Sequence, residues 1–474
     1  MTSPGPRPHA GRRSALDRWH GSITEPGSTP TGEWPQAATA YRSTGLVLHA
    51  PDDEAGERIR RAVTEVAARR DWVVSAGRSG VSLAPAESSV GPIDSREVVA
   101  ELRRHVDPQV AAGVGLDHLM TTAEQFGGNP FAIGHGRTGL DRYGDSGYAG
   151  RGPVNFVVPT PRPGSPERAP RVVVLDTGLG DHPWFTAYPA KTVVTMNDGR
   201  TIGPEIDPAS IKGIDADGTG AVANALLGTL ASHSGHGTFI AGLIRQACPE
   251  ADIVALAVMG ADGIVAESTL TDALTLLADR QREEPGWADA LVLSLGYYAE
   301  TADDLAYNTA LKRILVELGR LGVAVFCAAG NDATDRPSYP AAFAVDEDFA
   351  APDVVPLVSV AALNPDGSVA LFSNDGPWVT AEALGVNLVS TAPVTSDGSA
   401  RAGVHVRGPQ GRPRGGVDPD AFGNGFASWS GTSFAAPVLA GQYLRTLAEA
   451  GFPPIAERAR LVPIGRGVRR THVR

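Results

Sequence analysis

Arg171-Val172-Val173-Val174-Leu175-Asp176-Thr177-Gly178 is the stretch from which the fold is read. Its four consecutive apolar residues, three of them valines, show no alternation of polar and apolar positions. Such a run fits a strand buried on both faces, as in parallel sheets. A carboxylate and a glycine turn close it. Open α/β sheets gather ligands and chemistry at the carboxyl ends of their strands, so Asp176 is a candidate for function. Alone, an Asp here also reads as an Asx-turn or a helix N-cap. Two further runs repeat the buried-strand pattern. Ala290-Leu291-Val292-Leu293 leads into Ser294-Leu295-Gly296, and Val323-Ala324-Val325-Phe326-Cys327 leads into Ala328-Ala329-Gly330-Asn331.

Two other stretches carry nucleophile and base chemistry. In Ser430-Gly431-Thr432-Ser433-Phe434-Ala435-Ala436-Pro437 a tight turn runs into an apolar stretch of helical character. A serine at a helix start lies where free N–H groups and the helix dipole favour negative charge. Ser433 is therefore a candidate nucleophile whose own N–H faces a developing oxyanion. Pro437 is expected in the first turn, where its missing N–H costs little. Ser234-Gly235-His236-Gly237-Thr238 sets a histidine between glycines, which allow close backbone approach to the ring.

Asp, His and Ser in that chain order is the order of the subtilisin triad. The chain resembles the subtilisin-like serine peptidases (subtilases). The resemblance rests on Leu175-Asp176-Thr177-Gly178, Gly235-His236-Gly237-Thr238, and Gly431-Thr432-Ser433 with Ala435-Ala436-Pro437, and covers about residues 170–450. It implies a serine endopeptidase with Asp176, His236 and Ser433 as catalytic triad and Asn331 in the oxyanion hole. It also implies that Ser294, Leu295 and Gly296 pair with an extended substrate, while Ala328, Ala329 and Gly330 form the opposite wall of the first specificity pocket. The implied fold is α/β: a three-layer subtilisin-like domain with a mostly parallel central sheet. The alternative is a catalytically silent peptide-binding or regulatory scaffold of the same fold.

The chain departs from the family in places. Tyr297 follows Gly296 where a second glycine is usual, and Phe239 stands where many members carry a second histidine. Asp176 and His236 lie 60 positions apart, and His236 and Ser433 lie 197 apart. Both gaps are long, and the surplus is expected at 196–232 and 394–425 as surface loops, lids or exosites.

The rest of the chain is read as follows. Residues 1–40, rich in Pro, Gly and Ser, are expected to be a mobile tail. Residues 41–123 form a small α+β module, propeptide-like or regulatory. Its strands are expected at Leu46–His49, Trp72–Val74 and Val81–Leu83. Its helices begin at Asp52 and near residue 95. Residues 124–168 are a loop-rich linker, 169–455 the peptidase domain and 456–474 a tail.

At 42% hydrophobic and 20% charged residues the composition is that of a globular protein. The net charge of −12 argues against nucleic acid as a partner, since phosphate binding needs a basic face. Expected partners are a peptide or protein substrate and a regulatory partner of the N-terminal module. Few Lys and Met beside many Ala, Arg, Gly and Pro suggest a bacterial source. No signal peptide and no run of 18 apolar residues is visible, so a cytoplasmic, membrane-free location is expected, with secretion by another route as the alternative. Cys248 and Cys327 lie in apolar contexts and are expected as buried free thiols. The chemistry needs no cofactor. Structural calcium stays open, because Asp215-Ala216-Asp217-Gly218 is too short a cluster to assign.

Overall fold

The run at 171 forms the strand Arg171–Asp176, an interior strand of a seven-stranded sheet. The computed structural model describes residues 21–24, 39–50, 52–121 except 78, 88 and 90, 151–194 except 156–158, 163, 165, 166 and 188–190, 222–224, 229–299, 309–398, 405–415 and 420–463. Across the sheet the strands are Ala381–Leu384, Leu357–Leu363, Ala324–Ala328, Ala290–Leu293, Arg171–Asp176, Asp252–Ala257 and Lys191–Val194. Every neighbouring pair is parallel.

The continuous apolar run follows from two covered faces. Val172 and Val174 enter one core, with Phe239 and Ile240 of the helix His236–Ala247 and Leu444 of the helix Thr432–Glu449. Val173 and Leu175 enter the other, with Leu274 and Leu277 of the helix Glu267–Glu283 and Leu315 of the helix Thr309–Arg320. Neither face tolerates a polar side chain, so the period-two signal vanishes.

The N-terminal unit is α+β. Its helix Asp53–Ala68 starts where expected, with Asp52 accepting the N–H of Ala55 at 2.8 Å. Ile59, Val63 and Val66 face inward to meet Val98 and Leu102 of the helix Ser95–His105. The strands Thr39–Leu48, Trp72–Ala76 and Gly80–Pro85 extend those expected. Gly21–Thr24, within the segment expected as a tail, is also a strand and pairs with the start of Thr39–Leu48.

The strand Val114–Thr121 is not legible in the sequence. All eight of its residues are buried, Asp117 and His118 included, so it has no amphipathic pattern. Its inner edge pairs with Thr39–Leu48, and its outer edge with the strand Ile264–Ala266 of the larger domain. The two units thus share a sheet. Gly127-Gly128-Asn129-Pro130, Gly134-His135-Gly136, Asp215-Ala216-Asp217-Gly218, residues 196–221 and residues 464–474 lie outside the described residues.

The docked face of the small unit carries a consequence for acid stability. Burial pushes His49 down to about 4, helped by the nearby charge of Arg313. The unfolded chain takes up this proton from about pH 6.5. Stability from keeping the ring neutral is therefore full above pH 6.5 and is lost as pH falls to about 4, by up to about 3 kcal/mol. Thermal melts should show a Tm that declines through this window and declines less in His49→Phe; equal declines in the two proteins would refute the assignment.

Candidate active site

Asp176 ends the strand Arg171–Asp176 and is 1% exposed. Its Oδ1 accepts the Thr177 N–H at 2.8 Å and the Thr177 hydroxyl at 3.2 Å, and His236 Nδ1 lies 2.8 Å from the same oxygen. Nδ1 is placed to donate in this bond, and Nε2 is the ring nitrogen not engaged with the carboxylate. The Thr177 hydroxyl also accepts the Gly237 N–H at 2.9 Å. The helix start is thereby pressed onto the Asp turn. A Cβ at Gly237 would lie 2.3 Å from the Gly178 carbonyl oxygen, so this approach requires glycine.

Ser433 is the second residue of the helix Thr432–Glu449 and is 2% exposed. The helix starts at Thr432, so Pro437 falls in the second turn, not the first. This corrects the sequence expectation, and the reason is local. A residue other than proline at 437 would donate its N–H to the Ser433 carbonyl. That carbonyl instead accepts the Ser294 hydroxyl at 2.8 Å. The proline frees an acceptor, and the acceptor ties the Ser433 backbone to the neighbouring strand end. Ser433 Oγ donates weakly to the Ser294 carbonyl at 3.4 Å.

Asn331 follows the strand Ala324–Ala328. Its Oδ1 accepts the Thr432 N–H at 2.9 Å and the Thr432 hydroxyl at 2.8 Å. These bonds fix the amide's orientation and leave Nδ2 as a donor toward other acceptors. The loop carrying Asn331 is held by Asn374, which accepts the Asp332 N–H at 3.0 Å and donates to the Ala329 carbonyl at 2.9 Å.

His236, Asn331, Gly431 and Ser433 line one small pocket, walled by Trp429, Phe434 and His233. The Trp429 ring meets the His236 imidazole edge-on at 5.4 Å. Burial holds His233 neutral, and the charges of His236 and Arg151 act in the same direction. Ser433 also lines a second cleft with Ser294, Leu295, Gly296, Ala328 and Gly330. Ala329, expected in that wall, has its side chain in the core beneath. Tyr297 also lines this cleft. It bridges to Tyr339 by two backbone bonds of 2.8 Å, and its ring stacks on His118 at 4.3 Å. Cys327 is buried in the core, which pushes its thiol up.

The N-terminal unit occupies this second cleft. Thr121 and Gly296 exchange both backbone bonds, at 3.0 and 2.9 Å, and Ala40, Leu119 and Thr121 line the cleft. Met120 is packed in the same core as Leu295, Val258 and Val265. Asp117 accepts the N–H and the hydroxyl of Ser268, both at 2.9 Å. It thus caps the helix Glu267–Glu283, whose own N-cap, Ala266, offers no polar side chain. His118 Nδ1 lies 2.6 Å from Glu267 Oε2.

The profile of the Subtilase family matches residues 167–453. The chain is a subtilase. It is accordingly a serine-type endopeptidase, and subtilases need no cofactor for their chemistry. It is 27% identical over 252 residues to Subtilisin BL of Lederbergia lenta, an alignment spanning 50% of this chain and 73% of the relative. It is 25% identical over 302 residues to the Intracellular serine protease of Paenibacillus polymyxa, spanning 60% and 69% of the two chains. Among solved structures, a cold-adapted subtilisin-like serine proteinase matches with 20% identity and a TM-score of 0.38, over 61% of this subtilase and 79% of that chain.

Thr177 and Thr432 are positioning residues that sequence reasoning missed. Each is adjacent to a candidate residue within its motif, and that adjacency was the available signal. Trp429 and His233 carried no signal before the fold brought them to the imidazole. Among the described residues, no group of three or more His, Cys, Asp or Glu is placed to hold a metal ion, and no helix is long and apolar enough to cross a membrane.

Proposed function

We propose that this subtilase hydrolyses peptide bonds through Asp176, His236 and Ser433. Its own N-terminal unit holds it in check by lying in the substrate cleft. The reading is carried by the buried 2.8 Å bond between Asp176 and His236 beside a pocket that Ser433 and Asn331 also line. In the first step Ser433 Oγ attacks the carbonyl carbon and His236 Nε2 takes its proton. Asp176 holds the ring in the required tautomer and stabilises the imidazolium. The N–H of Ser433 and Nδ2 of Asn331 receive the oxyanion. His236 returns the proton to the leaving amine, and water then releases the acyl group by the same route. An extended substrate pairs with Ser294, Leu295 and Gly296 as an added strand, a mode whose main-chain bonds tolerate varied sequence.

The Thr121–Gly296 pair supports the inhibitory role of the small unit, because it uses the main-chain groups a substrate would use. The Asp117 cap and the His118–Tyr297 stack add contacts outside the cleft. The strand runs antiparallel to Ser294–Gly296 and therefore heads toward Ser433. Self-cleavage is expected at one of the bonds between Thr121 and Glu124. Intact-mass measurement of purified protein should show an N-terminal fragment ending there, absent in Ser433→Ala. Full-length mass persisting in an active enzyme, or cleavage independent of Ser433, would refute the self-processing role.

A further inference from the structure

We infer that Asn374 is a positioning residue for the oxyanion donor: it fixes the backbone on both sides of Asn331, so that the amide stands ready before substrate arrives. The inference deepens the peptidase reading above and rests on it.

Asn331 lies in the loop after the strand Ala324–Ala328, where no helix or strand holds the chain. A residue's backbone has two soft torsions, and the planes of the peptide groups before and after it set them. Asn374 binds both planes. Its N–H donates to the Gly330 carbonyl at 2.9 Å, in the peptide that enters Asn331. Its Oδ1 accepts the Asp332 N–H at 3.0 Å, in the peptide that leaves Asn331. Thr432 holds the Asn331 side chain, so backbone and amide are both fixed.

Asn374 can act as a fixed point because its own amide has one orientation. The residue is 0% exposed. Oδ1 also accepts the Thr334 N–H at 3.3 Å. Nδ2 donates to the Ala329 carbonyl at 2.9 Å and to the Tyr298 hydroxyl at 2.8 Å. That hydroxyl in turn donates to Asp332 Oδ2 at 2.7 Å. Two N–H groups facing the oxygen and two acceptors facing the nitrogen exclude the flipped amide. A Cβ at Gly330 would lie 2.3 Å from Nδ2, so loop and amide meet without slack. Neighbours of Asn374 continue the grip. The Ala333 N–H donates to the Phe372 carbonyl at 2.9 Å, and the Asp375 N–H to the Thr334 carbonyl at 3.1 Å.

Tyr298, Gly330 and Asp332 also line the cleft that contains Ser433. One buried network therefore joins the cleft wall to the oxyanion donor. A preorganised donor costs no rearrangement as charge develops. A loosened one must be ordered at that moment, and the cost appears in kcat.

The test is a double-mutant cycle on the self-processed full chain, with a peptide substrate. Asn374→Ala should lower kcat about 10- to 100-fold with KM little changed, the cost of a misplacement near 1 Å. In the Asn331→Ala background the same substitution should cost less than about threefold, because its effect runs through the missing amide. A merely structural role would cost as much in both backgrounds. Equal losses, or an unchanged kcat in folded Asn374→Ala, overturn the inference and leave the peptidase reading intact. Should thermal melts show that Asn374→Ala does not fold, Tyr298→Phe decides, since it removes only the hydroxyl to which Asn374 donates. A kcat about threefold lower in the parent and unmoved in Asn331→Ala supports the inference. An unmoved kcat in the parent, or the same loss in both, overturns it. If the parent cuts no peptide and Ser433 takes up no fluorophosphonate, the peptidase reading fails and this inference with it.

Discussion

Ser433→Ala should lower kcat on an unstructured peptide by about 10⁶-fold, the cost of removing the nucleophile or the base from such a triad. The loss is large because the other groups act through the hydroxyl. Asp176 orients His236, and His236 has no proton to take once Oγ is gone. What remains is the oxyanion site acting on water. The fold should hardly notice. Oγ makes one weak bond at 3.4 Å, whereas the bonds that seat the residue run through its backbone and through Thr432. Unfolding free energy should change by no more than about 1 kcal/mol. A variant that folds normally and keeps more than about one-thousandth of the activity would mean that another group is the nucleophile.

Asn331→Ala should lower kcat by about 10²–10³-fold with KM little changed, the loss known for a single oxyanion donor in a subtilisin. The reasoning starts from Thr432. Its N–H and hydroxyl both bond to Oδ1, so the amide is set before substrate arrives. In the proposed mechanism Nδ2 donates to charge that exists only in the transition state, and this type of interaction appears in kcat, not KM. Part of the loss is indirect, because Thr432 loses the acceptor of two bonds. Asn331→Asp keeps that acceptor but replaces the donor with a like charge, so it should be at least as impaired. Comparable activity in Asn331→Asp and the parent enzyme would show that Asn331 acts by anchoring Thr432 alone.

The central sheet was legible because strands buried on both faces leave continuous apolar runs, as at 171–175, 290–293 and 323–327. The candidate triad was legible because Asp176, His236 and Ser433 each sit in a short motif with glycine beside it, and Gly237 shows the cause: any side chain there would strike the Gly178 carbonyl. The helices of the small unit were legible from their faces and from Asp52. The strand Val114–Thr121 was not, because its burial is supplied by the other domain and its polar residues, Asp117 and His118, are satisfied only there. Pro437 was placed one turn early because nothing local reveals that the Ser294 hydroxyl replaces its missing donor.

The central claim is that three side chains far apart in sequence act as one nucleophilic unit. Fluorophosphonate labelling of the self-processed protein, read by peptide mass mapping, tests it most directly. The account predicts a single adduct on Ser433, formed quickly in the parent, slowed by orders of magnitude in His236→Ala, and blocked while the N-terminal unit remains in the cleft. Folded, processed protein that takes up no label, or takes it up on a serine other than 433, would contradict it.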